Sequence, residues 1–146
     1  MKGWGKFGEI WRTVLRRDPE PLTLRHGRLG EAAARRFLRS RGWKLLAANY
    51  RTRRGEIDLV FREGADLVFV EVKTRSSEEW RRPAAAVRGP KRRRISRVAL
   101  EYLRAIHCPA VKIRFDVVEV LLDDGQVAEI RHLPNAFPLS PPYRYG

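Results

Sequence analysis

The sequence predicts an α/β protein of two helices and five strands, in the order αβββαββ along the chain. Residues 55–74 alternate apolar and polar side chains around Gly64, which is the pattern of a β-hairpin. Two other segments, Arg25–Arg41 and Gly89–His107, repeat apolar residues at helical spacing. With 146 residues and 43% hydrophobic content, the chain is long enough for one domain with a modest core.

The N-terminal residues precede this domain and form a basic amphipathic pattern. Apolar side chains recur there at helical spacing, at Phe7, Ile10, Trp11, Val14 and Leu15. Pro19 and Pro21 end the pattern in a stiff linker. We favour a solvated extension over residues 1–24, with a helix that binds a membrane surface or a partner as the alternative.

The first helix of the domain is predicted over Arg25–Arg41, with Gly42 as its C-cap. Its buried stripe is predicted to consist of Leu29, Ala33, Ala34 and Phe37. Glu31 lies at the border of this stripe, beside Leu38. It therefore either forms an ion pair at the surface or faces a neighbouring sheet.

The first strand, Trp43–Arg51, leads through a basic turn with Arg53 and Arg54 into the hairpin. Gly64 can take a positive φ, which places the hairpin turn at Glu63–Asp66. Counting from that turn sets the register of the two strands. It predicts one continuous apolar face, through the pairs Arg62/Leu67, Phe61/Val68, Leu59/Val70 and Ile57/Val72.

The other face of the hairpin is acidic. The same register puts Asp58 across from Glu71, and Glu56 across from Lys73. Directly opposed side chains have Cβ atoms about 5 Å apart, and opposed like charges destabilise a sheet. A divalent cation such as Mg²⁺ would remove this repulsion. The alternative is a solvated sheet face on which Glu71 pairs with Lys73 or with an arginine.

A polar loop that contains Trp80 leads to the second helix, Gly89–His107, which begins with Pro90 in its first turn. The loop is either an arm near the substrate or a plain surface loop. The first turns of the helix carry clustered cations, namely Lys91, Arg92, Arg93, Arg94 and Arg97. They lie near the electropositive end of the helix dipole and repel one another without an anion. We therefore favour phosphate contact over a merely soluble face.

Two further strands, Val111–Leu122 and Gln126–Leu133, are joined by a turn at Asp123–Gly125. The chain from Pro134 onward is proline-rich and is predicted to be irregular. We place the domain at residues 25–137 and a proline-rich tail at residues 138–146.

Composition points to a polyanionic partner. The chain has 31 Lys and Arg against 17 Asp and Glu, a formal net charge of +14. This excess favours nucleic acid first and an anionic membrane surface second. One cysteine excludes an intramolecular disulfide, and no apolar run is long enough for a membrane span, so we expect a cytoplasmic location.

Other catalytic motifs are missing from the sequence. It contains neither the G-x-x-x-x-G-K-[ST] phosphate loop nor the G-x-S-x-G nucleophile elbow. The three histidines, His26, His107 and His132, lack zinc-ligand spacing. The acidic face of the hairpin is therefore the main candidate for a site.

The order of these acids matches a known motif. Asp58 and, after twelve intervening residues, Glu71-Val72-Lys73 follow a helix that contains Gly-Glu-Ala-Ala-Ala at residues 30–34. This arrangement resembles the PD-(D/E)XK nuclease superfamily. Over roughly Arg25–Phe137 the chain more closely resembles the uncharacterised bacterial YraN-like family. The segments that carry this resemblance are residues 27–34, 50–51, 55–60, 69–75, 91–95 and 114–118.

The resemblance implies a fold and roles for these residues. The fold would be restriction-endonuclease-like, a central mixed five-stranded sheet flanked by helices, as in archaeal Holliday-junction resolvases. Asp58, Glu71 and the carbonyl of Val72 would ligate Mg²⁺, or Mn²⁺ in its place. Lys73 would orient or activate the attacking water, and Glu31 would lie in the metal's outer shell or hold a second ion. The superfamily's proline before the first acid is Ile57 here.

The function implied is a Mg²⁺-dependent endonuclease, with DNA favoured over RNA and branched DNA as one substrate form. A nucleic-acid-binding module without catalysis is the alternative, and a peripheral membrane protein is less favoured. Arg53, Arg54 and Lys91–Arg94 would contact nucleic acid. The resolvases act as dimers, which makes a homodimer an option, but no heptad or self-complementary apolar edge in the sequence indicates one.

Overall fold

The computed structural model describes residues 20–77 and 87–146. The predicted order αβββαββ is confirmed within them. The elements are α1 (Leu22–Ser40), β1 (Lys44–Thr52), β2 (Gly55–Glu63), β3 (Asp66–Arg75), α2 (Gly89–Ala105), β4 (Ile113–Asp123) and β5 (Gln126–Phe137). The predicted N-terminal amphipathic segment and the part of the loop around Trp80 lie outside the described residues.

The five strands form one sheet in the order β1-β2-β3-β4-β5. All neighbouring strands are antiparallel except β3 and β4, which are parallel. Helix α2 lies between these two strands in the chain and so makes the crossover that a parallel pair needs. The two helices pack on opposite faces of the sheet. The restriction-endonuclease-like fold is thereby confirmed.

Helix α1 begins three residues earlier than predicted and buries a shifted stripe. Ala33 and Ala34 are buried as expected, and Leu38 is fully buried. Leu29 is 36% exposed, so its predicted place in the core is wrong. The helix approaches the sheet closely at Gly30, where a Cβ would lie 2.0 Å from Oγ1 of Thr74. This contact turns Leu29, the residue before it, toward solvent.

The hairpin of β2 and β3 has the predicted turn and register. Gly64 takes a φ of +56°, and the pairs run from Glu63/Asp66 to Leu59/Val70. The continuous apolar face is wrong, however. Leu59 packs on the α1 side of the sheet, whereas Ile57 packs on the α2 side. The two-residue alternation is therefore lost at Asp58, between these two residues.

The last strand is longer than predicted, because β5 runs to Phe137. A register shift opposite Phe115 and Val117 lets the strand continue past Pro134. Phe137 is buried and stacks on Phe115 with ring centroids 5.1 Å apart. Residues 138–146 contain no helix or strand, yet the amide of Ser140 donates to the buried hydroxyl of Ser96 at 3.0 Å. Among the helices described, none has the length and apolar character needed to cross a membrane.

Candidate functional site

The candidate site begins where β2 and β3 part. Their pairing ends at Leu59/Val70, so Asp58 and Glu71 are not a ladder pair as predicted. Instead, the amide of Val72 donates to Oδ2 of Asp58 at 2.7 Å. A side-chain carboxylate thus takes the place of a main-chain acceptor at the end of the ladder. This bond fixes the Asp58 carboxyl group against β3, next to the position of Glu71.

Asp58 and Glu71 line one cleft of about 300 Å³. The remaining lining residues come from the start of β2 and from the first turns of α2, namely Gly55, Glu56, Lys91, Arg94 and Ile95. The cleft is therefore lined by three acids and by two cations from a helix beside them. Out of the residues singled out from the sequence, the structure brings together Glu56, Asp58, Glu71, Lys91 and Arg94.

The two acids interact electrostatically. Burial and, to a smaller extent, the negative charge of Glu71 raise the pKa of Asp58 to about 7. Glu31 raises it further by a smaller amount, whereas the hydrogen bond from Val72 and the charge of Lys91 act in the opposite direction. The carboxyl group therefore keeps its proton to a higher pH than usual, because the charged form is both desolvated and repelled by Glu71.

Glu71 is the more deeply buried of the two acids, and only 7% of it is exposed. Its Oε1 forms an ion pair with Nζ of Lys91, whose side chain is 48% exposed. The sequence offered Lys73 or an arginine as partners for Glu71 and did not suggest Lys91. The two residues are twenty positions apart on different elements, so no local pattern indicates this pair.

Lys73 lies beyond the cleft just described, although it shares a strand face with Glu71. Burial lowers the pKa of Lys73, and the nearby charge of Arg75 lowers it further. The charges of Glu71 and Glu119 act against this decrease. Lys73 is therefore a partly desolvated ammonium group within the electrostatic reach of one candidate metal ligand.

Glu31 and Val72 line a second cavity of about 520 Å³ between α1, the end of β3 and the β4–β5 turn. The close contact of Gly30 with Thr74 places the next residue, Glu31, beside the sheet. Glu31 is half-buried, and its charge still acts on Asp58. Glu31 thus faces the sheet, as one of the two sequence interpretations had it, but outside the cleft that holds Asp58 and Glu71.

The predicted nucleic-acid-binding residues fall into two groups. Some are engaged in contacts within the protein: Arg54 pairs with Glu101 at 2.8 Å, and Nε of Arg92 donates to the carbonyl of Val87 at 2.5 Å. Arg53, Arg93 and Arg94 are exposed. Across residues 20–77 and 87–146, these three form no ion pair with an acid.

Sequence reasoning missed a buried polar network around Asp116. Its carboxylate is fully buried and contacts His132 at 2.8 Å, Arg114 at 3.0 Å and the amide of Asn135 at 2.9 Å. Burial alone would raise the pKa of Asp116, but these hydrogen bonds outweigh it and hold the pKa below its ordinary value. The network joins β4 to β5, so Asp116 stabilises the sheet at a distance from the cleft.

Two kinds of comparison relate the chain to known proteins. The family model described as Uncharacterised protein family UPF0102 matches residues 30–120. The chain is similar to the UPF0102 protein of Geobacter metallireducens, with 43% identity over 114 residues, 78% of this chain and 93% of the relative. The UPF0102 protein of Nocardia farcinica is 44% identical over 125 residues, which cover 86% of this chain and 97% of that relative. The UPF0102 protein of Solibacter usitatus is 48% identical over 113 residues, 76% of this chain and 83% of the relative.

Proposed function

The chain belongs to the uncharacterised protein family UPF0102, and we propose that it is a metal-dependent endonuclease that hydrolyses phosphodiester bonds in nucleic acid. This is the YraN-like family, so the resemblance inferred from the sequence segments is confirmed. The observation that carries the proposal is the convergence of Asp58 and Glu71 in one cleft beside Lys91 and Arg94. Paired acids favour a bound cation, and the neighbouring cations favour a bound phosphate.

The donor set of the cleft fits Mg²⁺. Within the described part of the chain, no three His, Cys, Asp or Glu side chains form a ready cluster for a metal ion. Mg²⁺ does not need one, because it keeps several waters and commonly binds proteins through one or two carboxylates together with substrate phosphates. Asp58 and Glu71 would hold the ion, and Mn²⁺ would fit the same oxygen ligands. The resemblance adds the backbone carbonyl of Val72, the residue after Glu71, which lines the neighbouring cavity.

Residues of the cleft, and Lys73 beyond it, would contribute separately to hydrolysis. The bound ion would stabilise the negative charge on the phosphate oxygens and lower the pKa of a water molecule. Asp58 is held in place by the amide of Val72, so its carboxylate is oriented before any ligand arrives. Lys73 would steady the attacking water or the phosphate, and its lowered pKa suits a proton-transfer role. Arg94 lines the cleft and would contact the backbone of the substrate.

A cytoplasmic location is a separate prediction. DNA is the favoured substrate class. The net charge of +14 supports a polyanion in general and does not separate DNA from RNA. Our preference for DNA, including branched forms, rests on the superfamily resemblance. A binding module without catalysis is the second candidate, because exposed arginines such as Arg93 support affinity with or without hydrolysis.

The test is a cleavage panel with duplex, single-stranded, junction and RNA substrates in Mg²⁺ or Mn²⁺. We expect wild-type protein to cleave at least one of them and chelation of the metal to stop cleavage. Glu71→Gln and Asp58→Asn should each lower the rate at least about 100-fold, while the nucleic-acid affinity measured without a divalent ion changes by less than about threefold. Asp123→Asn, which alters an exposed acid outside the cleft, is the matched control and should cleave like wild type.

Two results would contradict the proposal. One is that freshly purified protein binds nucleic acid but cleaves nothing in the panel with either metal, which would favour the binding module. The other is that residual cleavage survives equally in Glu71→Gln, Asp58→Asn and the control, which would indicate a contaminating nuclease.

A further inference from the structure

The Glu71–Lys91 ion pair carries an inference that rests on the proposed function and extends it to regulation. Glu71 is held on β3 with 7% of its surface exposed, so its position is set by the sheet. Removing the partner of a buried carboxylate strongly destabilises the folded protein. That partner is the ammonium group of Lys91, from the first turns of α2.

Lys91 can move out of this ion pair, whereas Glu71 cannot. About half of its side chain, 48%, is exposed, and it begins from the exposed surface of α2. A lysine side chain is flexible, and its ammonium group can re-form its hydrogen bonds with water or with a phosphate oxygen. Only one partner of this ion pair is therefore free to exchange.

Lys91 and Lys73 occupy different positions relative to the acids. Lys91 lines the cleft that contains Asp58 and Glu71, whereas Lys73 does not. The motif lysine of the resemblance is Lys73, which lies on β3 two residues beyond Glu71. The cation inside the cleft is therefore supplied by a residue to which the motif assigns no role.

We propose that Lys91 is an internal counter-cation which occupies the acid pair until a divalent ion displaces it, and which then binds the phosphate of the substrate. An ammonium group and a divalent ion repel each other at one carboxylate, so Lys91 weakens metal binding when no substrate is present. A nucleic-acid phosphate gives the displaced ammonium group a new partner. Metal and nucleic acid therefore strengthen each other's binding, by the same factor in each direction.

The decisive measurement is Mn²⁺ affinity of the full chain without nucleic acid, by calorimetry. Lys91→Gln removes the charge and retains a hydrogen-bond donor for Glu71, so it should bind Mn²⁺ about tenfold more tightly than wild type. Lys91→Arg restores the charge and should return the affinity to within about twofold of wild type. Arg93→Gln is the matched control, since it removes the same charge from an exposed residue of the same helix outside the cleft.

The outcomes separate this inference from the proposed function. If Lys91→Gln binds Mn²⁺ no more tightly than wild type, while Glu71→Gln abolishes binding, then the role of Lys91 is wrong and the metal site stands. If Lys91→Gln and Arg93→Gln tighten binding equally, the effect is one of net charge and the inference is also wrong. If neither wild type nor Lys91→Gln binds Mn²⁺ without nucleic acid, the inference is overturned, whereas the metal-dependent function is decided separately by the cleavage panel, in which substrate phosphates are present.

A second measurement leaves Lys91 unchanged, in case Lys91→Gln does not fold. The affinity for a short duplex is compared with and without Ca²⁺ at constant ionic strength. We expect Ca²⁺ to tighten duplex binding of wild type at least about fivefold and that of Glu71→Gln less than about twofold. Equal responses of the two proteins would overturn the inference, because coupling through the acid pair requires Glu71.

Discussion

The carboxyl group of Asp58 both ends the strand ladder and lines the candidate cleft. Its Oδ2 accepts the amide of Val72 at 2.7 Å, which satisfies a main-chain donor where the strands part. The same group lines the cleft beside Glu71. Burial and the charge of Glu71 raise its pKa to about 7, so the metal-free protein holds a proton there near neutral pH. This proton is what a divalent ion would replace.

The raised pKa predicts a pH dependence of stability in the metal-free protein. The folded-state pKa lies above the ordinary value of 3.8, so the folded protein binds the proton more tightly than the unfolded chain. The resulting stabilisation is fully present below about pH 4 and is lost as the pH rises toward about 7. Relative to Asp58→Asn, wild type should lose on the order of 2 kcal/mol of unfolding free energy over this range, after discounting for solvent in the cleft.

Chemical denaturation between pH 4.5 and 8 measures this difference. Asp123→Asn, at an exposed site, should follow wild type throughout. Mn²⁺ should stabilise wild type more at pH 8 than at pH 6, because the ion binds the carboxylate form. Parallel curves for wild type and Asp58→Asn would show that the carboxyl group is not desolvated beside Glu71.

Among the elements, α1 is positioned by one close contact. Gly30 is buried, and a Cβ there would meet Oγ1 of Thr74 at 2.0 Å and its Cβ at 3.2 Å. The absence of a side chain thus lets the helix axis approach the end of β3. Glu31 follows Gly30 directly in the chain, and its negative charge raises the pKa of Asp58. The distance between α1 and β3 therefore decides whether Glu31 can influence the site.

Gly30→Ala should destabilise the protein by about 1–3 kcal/mol, because the added methyl group overlaps Thr74. Gly27→Ala is the matched control on the same helix, where an added Cβ meets no atom within 4 Å. This control should stabilise the protein by about 0.5–1 kcal/mol through helix propensity. Thermal and denaturant unfolding measure both changes.

A double variant tests the cause of the loss. Thr74→Ala removes the hydroxyl oxygen that a Cβ at Gly30 would meet first. Added to Gly30→Ala, it should recover at least half of the lost stability. Additive losses in the double variant would mean that Thr74 is not the contact that limits the helix.

At the scale of the whole molecule, some charged side chains are paired within the protein, whereas others are exposed. The net charge is +14, and several acids are already paired within the protein. Arg97 is likewise engaged, with Nε donating to the hydroxyl of Tyr143 in the C-terminal tail at 2.5 Å. Arg93 and Arg94 are exposed on the first turns of α2, beside the cleft. We therefore expect phosphate contacts to concentrate there.

Replacing both Arg93 and Arg94 by Gln should weaken duplex binding and flatten its salt dependence. Each lost phosphate contact lowers the slope of log K against log salt by about 0.9 for duplex DNA, so we expect a decrease of about 1.8. Arg36 and Arg104, exposed on α1 and on the last turn of α2, form the charge-matched control pair. Fluorescence anisotropy at several salt concentrations checks this. Equal decreases in both double variants would indicate net charge instead of a localised surface.

The sequence by itself determined what depends on neighbouring residues. The order of elements, the turn at Gly64 and the hairpin register follow from local periodicity and turn chemistry. The first two are confirmed, and the register is confirmed from the turn as far as Leu59/Val70 but not beyond it. The resemblance then selected Asp58 and Glu71 as candidate ligands, because their spacing and order can be read along one hairpin. Their roles in binding a metal stay predictions.

Only the tertiary structure decided which residues surround these two acids. The crossover of α2 brings Lys91 to Glu71, and the parting of β2 from β3 moves Ile57 to the other face of the sheet. Glu31 lies on the α1 side, in a cavity separate from the acid pair. These contacts join residues that are distant in the chain, and burial of both sheet faces determines them. Periodicity specifies which face of an element is apolar, but it does not specify which side chain of another element meets a given charge.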